Sequence, residues 1–177
     1  MVRRLYVEDQ EVAKTISDEA TNAEYLQRVK MRQKTLRTML SAHQITSGDD
    51  FLAAAFIFQH GDNAEDCLFA HILAMEAMAR GTASARWIAA ATLDRYLQYI
   101  EQPQVFGTQY NIDPAQPVHV AGAPFPYGKT QQPFNDSFLS DVVRTDFCVP
   151  TLAQQRQNVA MFNAGKWPRA TMHPPCP

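Results

Sequence analysis

The chain has no proline before Pro103; all 11 of its prolines lie at or beyond that position. Proline removes a backbone donor and clashes with the preceding turn, so the first hundred residues are free to be helical. Long apolar runs are also missing. The longest, Phe51 to Phe58, is far short of the ~20 residues a membrane-spanning helix needs, which predicts no membrane partner. Neither sign of charge is in excess: 16 basic and 18 acidic residues leave a formal net charge of −2. Proteins that hold polyanions electrostatically are usually basic, so nucleic acid is not expected as a general partner. Arg3 and Arg4 have no apolar segment behind them, so there is no signal peptide in this numbering. A cytoplasmic protein is expected from that. A removed export signal replaced by a start methionine would leave the same sequence and give an exported or periplasmic protein.

Cysteine is scarce. Cys67, Cys148 and Cys176 fit neither a disulfide framework nor a zinc spacing. Free thiols are the favoured reading; a Cys148–Cys176 bridge is the alternative for an exported chain. The phosphate-loop, dinucleotide, zinc-protease and nucleophile-elbow patterns are all missing. So are the Glu-x-x-His pairs of di-iron bundles, and no histidine stands beside Cys148 to suggest thiol catalysis. No cofactor and no metal are expected. A lesser metal reading would use His60, Asp94 and His71.

An apolar content of 46% against 19% charged residues excludes a fully disordered chain. The length, 177 residues, predicts a single domain over 1–177. Its parts are a helical core over about 5–102, a Pro-rich, mostly irregular wrap over 103–150, and a C-terminal helix and tail over 151–177. The fold class is all-α, a bundle of about five or six helices. The first covers roughly 5–19. The second runs from 22 to about 43, with Leu26, Val29, Leu36 and Leu40 at helical spacing. The third follows Ser47, Gly48 and Asp49 and ends at Gln59 or His60. It is apolar all round and should be central, with Gly61 as a left-handed cap. Asp62 and Glu65 form a capping-box pattern opening the fourth helix, with Leu68, Ile72, Met75 and Ala79 inward and Gly81 as its stop. The fifth begins at Thr82 or Ser84 and ends near Glu101. The last covers about 151–163. Val118, Val120, Phe125, Tyr127, Phe134 and Phe138 give the Pro-rich segment apolar surface with which to wrap the helices.

Several polar residues do not fit a plain bundle. Asp94 shares a face of the fifth helix with Trp87, Ala90 and Leu97, so its carboxylate should be buried and need a partner. It is either one half of a structural ion pair with an arginine, such as Arg95, or a general acid or base. His60 ends the most buried helix after Gln59. The helix terminus favours its charged form and burial opposes it, which suits proton transfer. The other reading is a core histidine bonded to a carbonyl. His71 is the weaker candidate, explained by its helical surroundings. The run from Gln104 to Gln109 sets Gly107 between an aromatic residue and Thr108, a pattern for a tight loop whose backbone approaches something closely. Gln104, Thr108 and Gln109 would read a polar ligand or fix the loop. Asp9 and Gln10 add two polar groups on the first helix. Arg28, Lys30, Arg32, Lys34 and Arg37 spread around the second helix with no interleaved aromatics and read as a solvated face.

Gln59-His60, Ala91-Thr92-Leu93-Asp94-Arg95 and the run from Gln102 to Gln109 together resemble an uncharacterised bacterial domain family of unknown function. Its members carry an Asp-Gln near the start, a Gln-His after a buried helix, a Leu-x-Asp-Arg and a Gln-x-(Tyr/Phe)-Gly-Thr-Gln. Asp9-Gln10 matches the first element; Ala13, Lys14 and Thr15 stand where an arginine usually follows it. The resemblance covers roughly residues 5 to 165. It brings no established reaction and implies a polar pocket. Many relatives look exported.

The reading that follows is a metal-independent small-molecule hydrolase or lyase acting on a small polar substrate. His60 transfers the proton, Asp94 orients it or serves as base, and Arg95 binds an anionic group or pairs with Asp94. Asp9, Gln10, Gln59, Gln104, Thr108 and Gln109 contact the substrate. The alternative is a non-catalytic binding or interaction module in which the same polar residues form a structural network.

Overall fold

The computed structural model describes residues 1–13, 19–118, 123 and 125–172. The described chain is mostly helical, with one two-stranded antiparallel sheet in its second half. It forms two compact units, Met1–Tyr96 and Leu97–Pro177. The sheet makes "all-α" too narrow, while a predominantly helical architecture stands. No described helix is long and apolar enough to cross a membrane.

The first unit holds α1 (Val2–Ala13), α2 (Glu19–Ser41), α3 (Gly48–Phe58), α4 (Ala64–Ala79) and most of α5 (Ala85–Tyr99). The end of the first expected helix, at 14–18, lies outside the described residues. Ser47 caps α3, its side chain accepting from the Asp50 N–H. Ala54, Ala55, Ile57 and Phe58 are wholly buried, as a central helix requires. α3 packs chiefly on α4, whose Ala70, Ala74 and Ala77 are also wholly buried. Small side chains let the two backbones approach closely, and the apolar contact holds them there.

Three local expectations are corrected. Gly61 is not left-handed; the chain leaves α3 through Gln59 in a right-handed helical conformation. Glycine is needed at 61 for room, because a Cβ there would overlap the Asp66 side chain. The cap of α4 is Asn63, which accepts from the Asp66 N–H at 2.9 Å, while Asp62 pairs with Lys30 at 2.8 Å. The Asp62–Glu65 box therefore does not form. The inner face of α4 is also rotated: Cys67, Ala70, Leu73, Ala74 and Ala77 are buried, whereas Ile72 and Met75 are exposed. α4 is apolar nearly all round, so hydrophobic spacing alone does not choose its phase. The small residues do, because they mark the face where backbones come close.

Gly81, at a φ of 89°, ends α4 as expected. On α5, Ala85, Ile88, Ala89 and Ala90 are wholly buried, and so is Asp94.

The second unit holds β1 (Asn111–Pro117), β2 (Tyr127–Thr130), α6 (Asp141–Asp146), α7 (Leu152–Asn163) and α8 (Arg169–Met172). β1 pairs with β2 from Asn111 opposite Thr130 to Pro117 opposite Tyr127, with an irregularity after Asp113. The prolines of β1 are tolerated because a two-stranded ribbon is all edge. α7 begins at a full capping box, Thr151 with Gln154, and Gly165 follows it at a φ of 71°. Tyr110, Phe125 and Trp167 pack their rings around Phe162, at centroid separations of 5.4, 5.7 and 5.3 Å. Phe125 thus serves the core of its own unit. Phe138 is largely exposed, and Val120 lies outside the described residues. Cys148 is buried and disulfide-bonded, which overturns its free-thiol reading; Cys176 lies outside the described residues. Cys67 is free and buried.

Candidate functional site

The polar residues of the first unit converge where α1, α2 and the end of α3 meet. Asp9 on α1 is wholly buried. His60, just after α3, places Nδ1 2.6 Å from the Asp9 carboxylate. Arg32 of α2 reaches the same carboxylate at 3.4 Å, and Gln10 at 3.3 Å. The Nε2 of Gln59 lies 3.4 Å from Nε2 of His60. With the Gln59 amide nitrogen as donor, the neutral ring accepts at Nε2 and its Nδ1 proton goes to Asp9. The imidazole side chain retains 18% of its exposure, against none for Asp9. One edge of the ring is therefore reachable while its carboxylate partner is shielded.

The carboxylate bonded to His60 is thus that of Asp9, which sequence reasoning had placed among the substrate contacts. Asp94, assigned the orienting role from its helix face, is wholly buried in α5 as expected. Its neighbour Arg95 donates from Nη1 to the Gln59 carbonyl at 3.0 Å. That carbonyl belongs to the last turn of α3, where backbone acceptors lack helical partners. Arg95 therefore fixes the turn that carries Gln59 and His60. His71 places Nδ1 2.9 Å from the Ala89 carbonyl, as a core histidine does.

Two members of this cluster were missed. Arg32 was read as part of a solvated face, yet it is only 9% exposed. The signal was present: Tyr25, Val29, Arg32, Leu36 and Met39 form one buried stripe at alternating steps of four and three. Arg28, Lys30, Lys34 and Arg37 do lie on the exposed side. Tyr25 sits on the same stripe, 6% exposed, its ring centroid 5.9 Å from that of His60. Burial chiefly, and the Asp9 charge next, push its phenol well above the ordinary range, so it stays a donor.

The remaining expected residues, Gln104, Thr108 and Gln109, belong to the second unit and are described by themselves. Gln104 is wholly buried. Its amide donates to the carbonyls of Gln109 and Gln131, and its Oε1 accepts the Gln109 N–H at 3.0 Å. Gln131 donates to the Gly107 carbonyl and to Gln155, and Gln155 donates to the carbonyls of Phe106 and Pro150, both at 2.8 Å. Gly107 has a φ of 82°, and a Cβ there would overlap Gln155. Three buried glutamines thus satisfy the backbone of an irregular loop that has no ladder to do so. Gln104 is built as a loop clamp. Gln109 donates from its side chain to the Thr108 hydroxyl at 3.0 Å, and both residues are partly exposed.

Two cavities lie elsewhere. One of about 320 Å³ opens between α1 and α3 beside Arg3, Tyr6 and Phe56. One of about 230 Å³ in the second unit is lined by Gln131, Phe134 and Arg156 among others. Among the described residues, no group of three His, Cys, Asp or Glu is placed to hold a metal ion. Comparison with protein-family models, curated proteins and solved structures finds no match.

Proposed function

We propose that the first unit carries an acid–base site for a small polar substrate, acting as a hydrolase or lyase without a metal. The observation that carries this reading is the 2.6 Å contact between a shielded Asp9 and a partly exposed His60. Asp9 holds Nδ1 protonated and so leaves Nε2 as the basic end of the ring. It also stabilises the imidazolium that forms when Nε2 takes a proton. Arg95 positions the Gln59–His60 turn, and Gln59 and Gln10 offer amides beside the ring. Asp94, buried on the helix that carries Arg95, is assigned a supporting role.

His60→Asn tests it. The asparagine Nδ2 can replace Nδ1 as donor to Asp9, while nothing replaces Nε2 as base. On a panel of chromogenic esters, amides, phosphoesters and glycosides, the wild type should turn over at least one class. The variant should lose about 10²–10⁴-fold of that rate with little change in melting temperature. Equal rates in both proteins, or no turnover of any class by the wild type, contradict the proposal.

The second reading, a structural polar network, is favoured by a specific observation only at Gln104, Gln131 and Gln155. In the second unit that is the role we assign, with Thr108 and Gln109 as its partly exposed margin.

A further inference from the structure

On the inward stripe of α2, Tyr25, Val29, Leu36 and Met39 flank one cation, Arg32. It faces the wholly buried carboxylate of Asp9 on α1 at 3.4 Å. As a fastener between two helices such a pair has little to offer, because apolar residues of similar volume often hold as well or better. The geometry gives it another use. The two oxygens of Asp9 are divided between partners. Oδ2 meets His60 Nδ1 at 2.6 Å and the Gln10 amide at 3.3 Å, while Oδ1 faces Arg32. Arg32 thus acts on His60 through Asp9. At 3.4 Å the directed hydrogen bond is weak. The attraction between the two charges falls only with the inverse of distance, and salt screens it little where both groups are shielded.

We propose that Arg32 is a positioning residue of the His60 site: by neutralising Asp9 it favours the uncharged imidazole, whose Nε2 is open to take a proton, over the imidazolium. This rests on the reading of His60 as a base and adds how that base is kept ready. Burial disfavours net charge. With Arg32 present, its charge and that of Asp9 cancel, so a neutral ring leaves the cluster uncharged and an imidazolium makes it cationic. Without Arg32, Asp9 is a lone buried anion, and an imidazolium is what cancels it. Other groups of the first unit near the ring do not reverse this sign. Tyr25 of α2 adds no charge, since burial chiefly pushes its phenol well up. Arg95 of α5, on the Gln59 carbonyl at 3.0 Å, is a further cation. Asp66 of α4, next to Gly61, is paired with Arg37 at 3.5 Å and bonded to Asn63. Asp94 is buried on α5 and stays in place when Arg32 is changed, so it does not alter the difference.

The test uses the full chain as wild type, Arg32→Gln and Arg32→Lys. Glutamine keeps a donor for Asp9 and loses the charge; lysine keeps the charge. The readouts are the pH midpoint of the His60 ring, followed through its NMR shifts, and the melting temperature. In Arg32→Gln the midpoint should rise by about one pH unit or more, a tenfold or larger gain of imidazolium over imidazole at a given pH. In Arg32→Lys it should stay within about 0.3 unit of wild type. A midpoint unmoved in Arg32→Gln, whatever its melting temperature, overturns the proposal. So does a midpoint that rises by a full unit in Arg32→Lys, and that result decides the matter if Arg32→Gln does not fold. On a substrate that is turned over, the acidic limb of the pH–rate profile should move up with the midpoint in Arg32→Gln. The rate lost at neutral pH should return at higher pH, with KM little changed. A merely structural Arg32 would lower the melting temperature and leave that limb in place. A ring that shifts in Arg32→Gln while no protein turns over any substrate leaves the role of Arg32 standing and removes the acid–base reading. Turnover that depends on His60, with midpoint and profile indifferent to Arg32→Gln, does the reverse.

Discussion

Asp9 and His60 lend themselves to a double-mutant cycle, with Asp9→Ala, His60→Ala and the pair measured by urea unfolding. The 2.6 Å contact is short and has a carboxylate acceptor that is wholly buried. Hydrogen bonds to charged groups contribute about 1.5–3 kcal/mol. The Arg32 contact at 3.4 Å adds little by comparison. Asp9→Ala strands Arg32, whose side chain keeps only 10% of its exposure, whereas His60 can be rehydrated at its open edge. His60→Ala strands the Asp9 carboxylate with Arg32 alone. Each single change should therefore cost about 2–4 kcal/mol, below the upper range for broken buried pairs because one edge is wet. The double variant removes both partners at once, so the coupling energy should be about 1.5–3 kcal/mol. For a chain of this length, 2 kcal/mol lowers the melting temperature by about 4–8 °C. A coupling under about 0.5 kcal/mol, the scatter expected of independent sites, would refute the pairing.

Further outcomes follow from the same structure. Gln155→Leu should destabilise by about 2–4 kcal/mol, because it removes the buried donor to the carbonyls of Phe106 and Pro150; a loss under about 0.5 kcal/mol in chemical denaturation would contradict the clamp. Burial chiefly pushes the Cys67 thiol from 9.0 up to about 11. It should resist a thiol reagent at pH 8 in the native protein and react once unfolded. The sign of its pH effect follows: the unfolded thiol ionises first, so its contribution is complete below pH 9.0 and lost as pH rises towards 11, a fall on the order of 2–3 kcal/mol. Gly61→Ala should cost about 1–3 kcal/mol through overlap with Asp66, visible as an earlier thermal transition.

Much of the helical first half was legible in sequence because its punctuation is local. Ser47 and Gly81 act within a turn of the helix ends they set. What escaped depends on phase or on distant partners. In α4 a nearly uniform apolar surface left the inner face undetermined, and the alanine contacts with α3 decided it. Arg32 looked like one cation among five, and only the stripe through Val29 and Leu36 marks it as inward. Helix-face spacing points to Asp94 as the partner of His60, and nothing local marks Asp9, far off along the chain, as the carboxylate that meets it. The short strands were hidden by Pro114 and Pro117, which argue against a central strand but are tolerated in a two-stranded ribbon.

The most direct measurement is the long-range ¹H–¹⁵N spectrum of the His60 ring in its neutral form. A proton on Nδ1, shifted downfield by the Asp9 carboxylate, with an unprotonated Nε2, is the predicted pattern, and Asp9→Ala should abolish it. A ring protonated at Nε2 and indifferent to Asp9 would contradict the account.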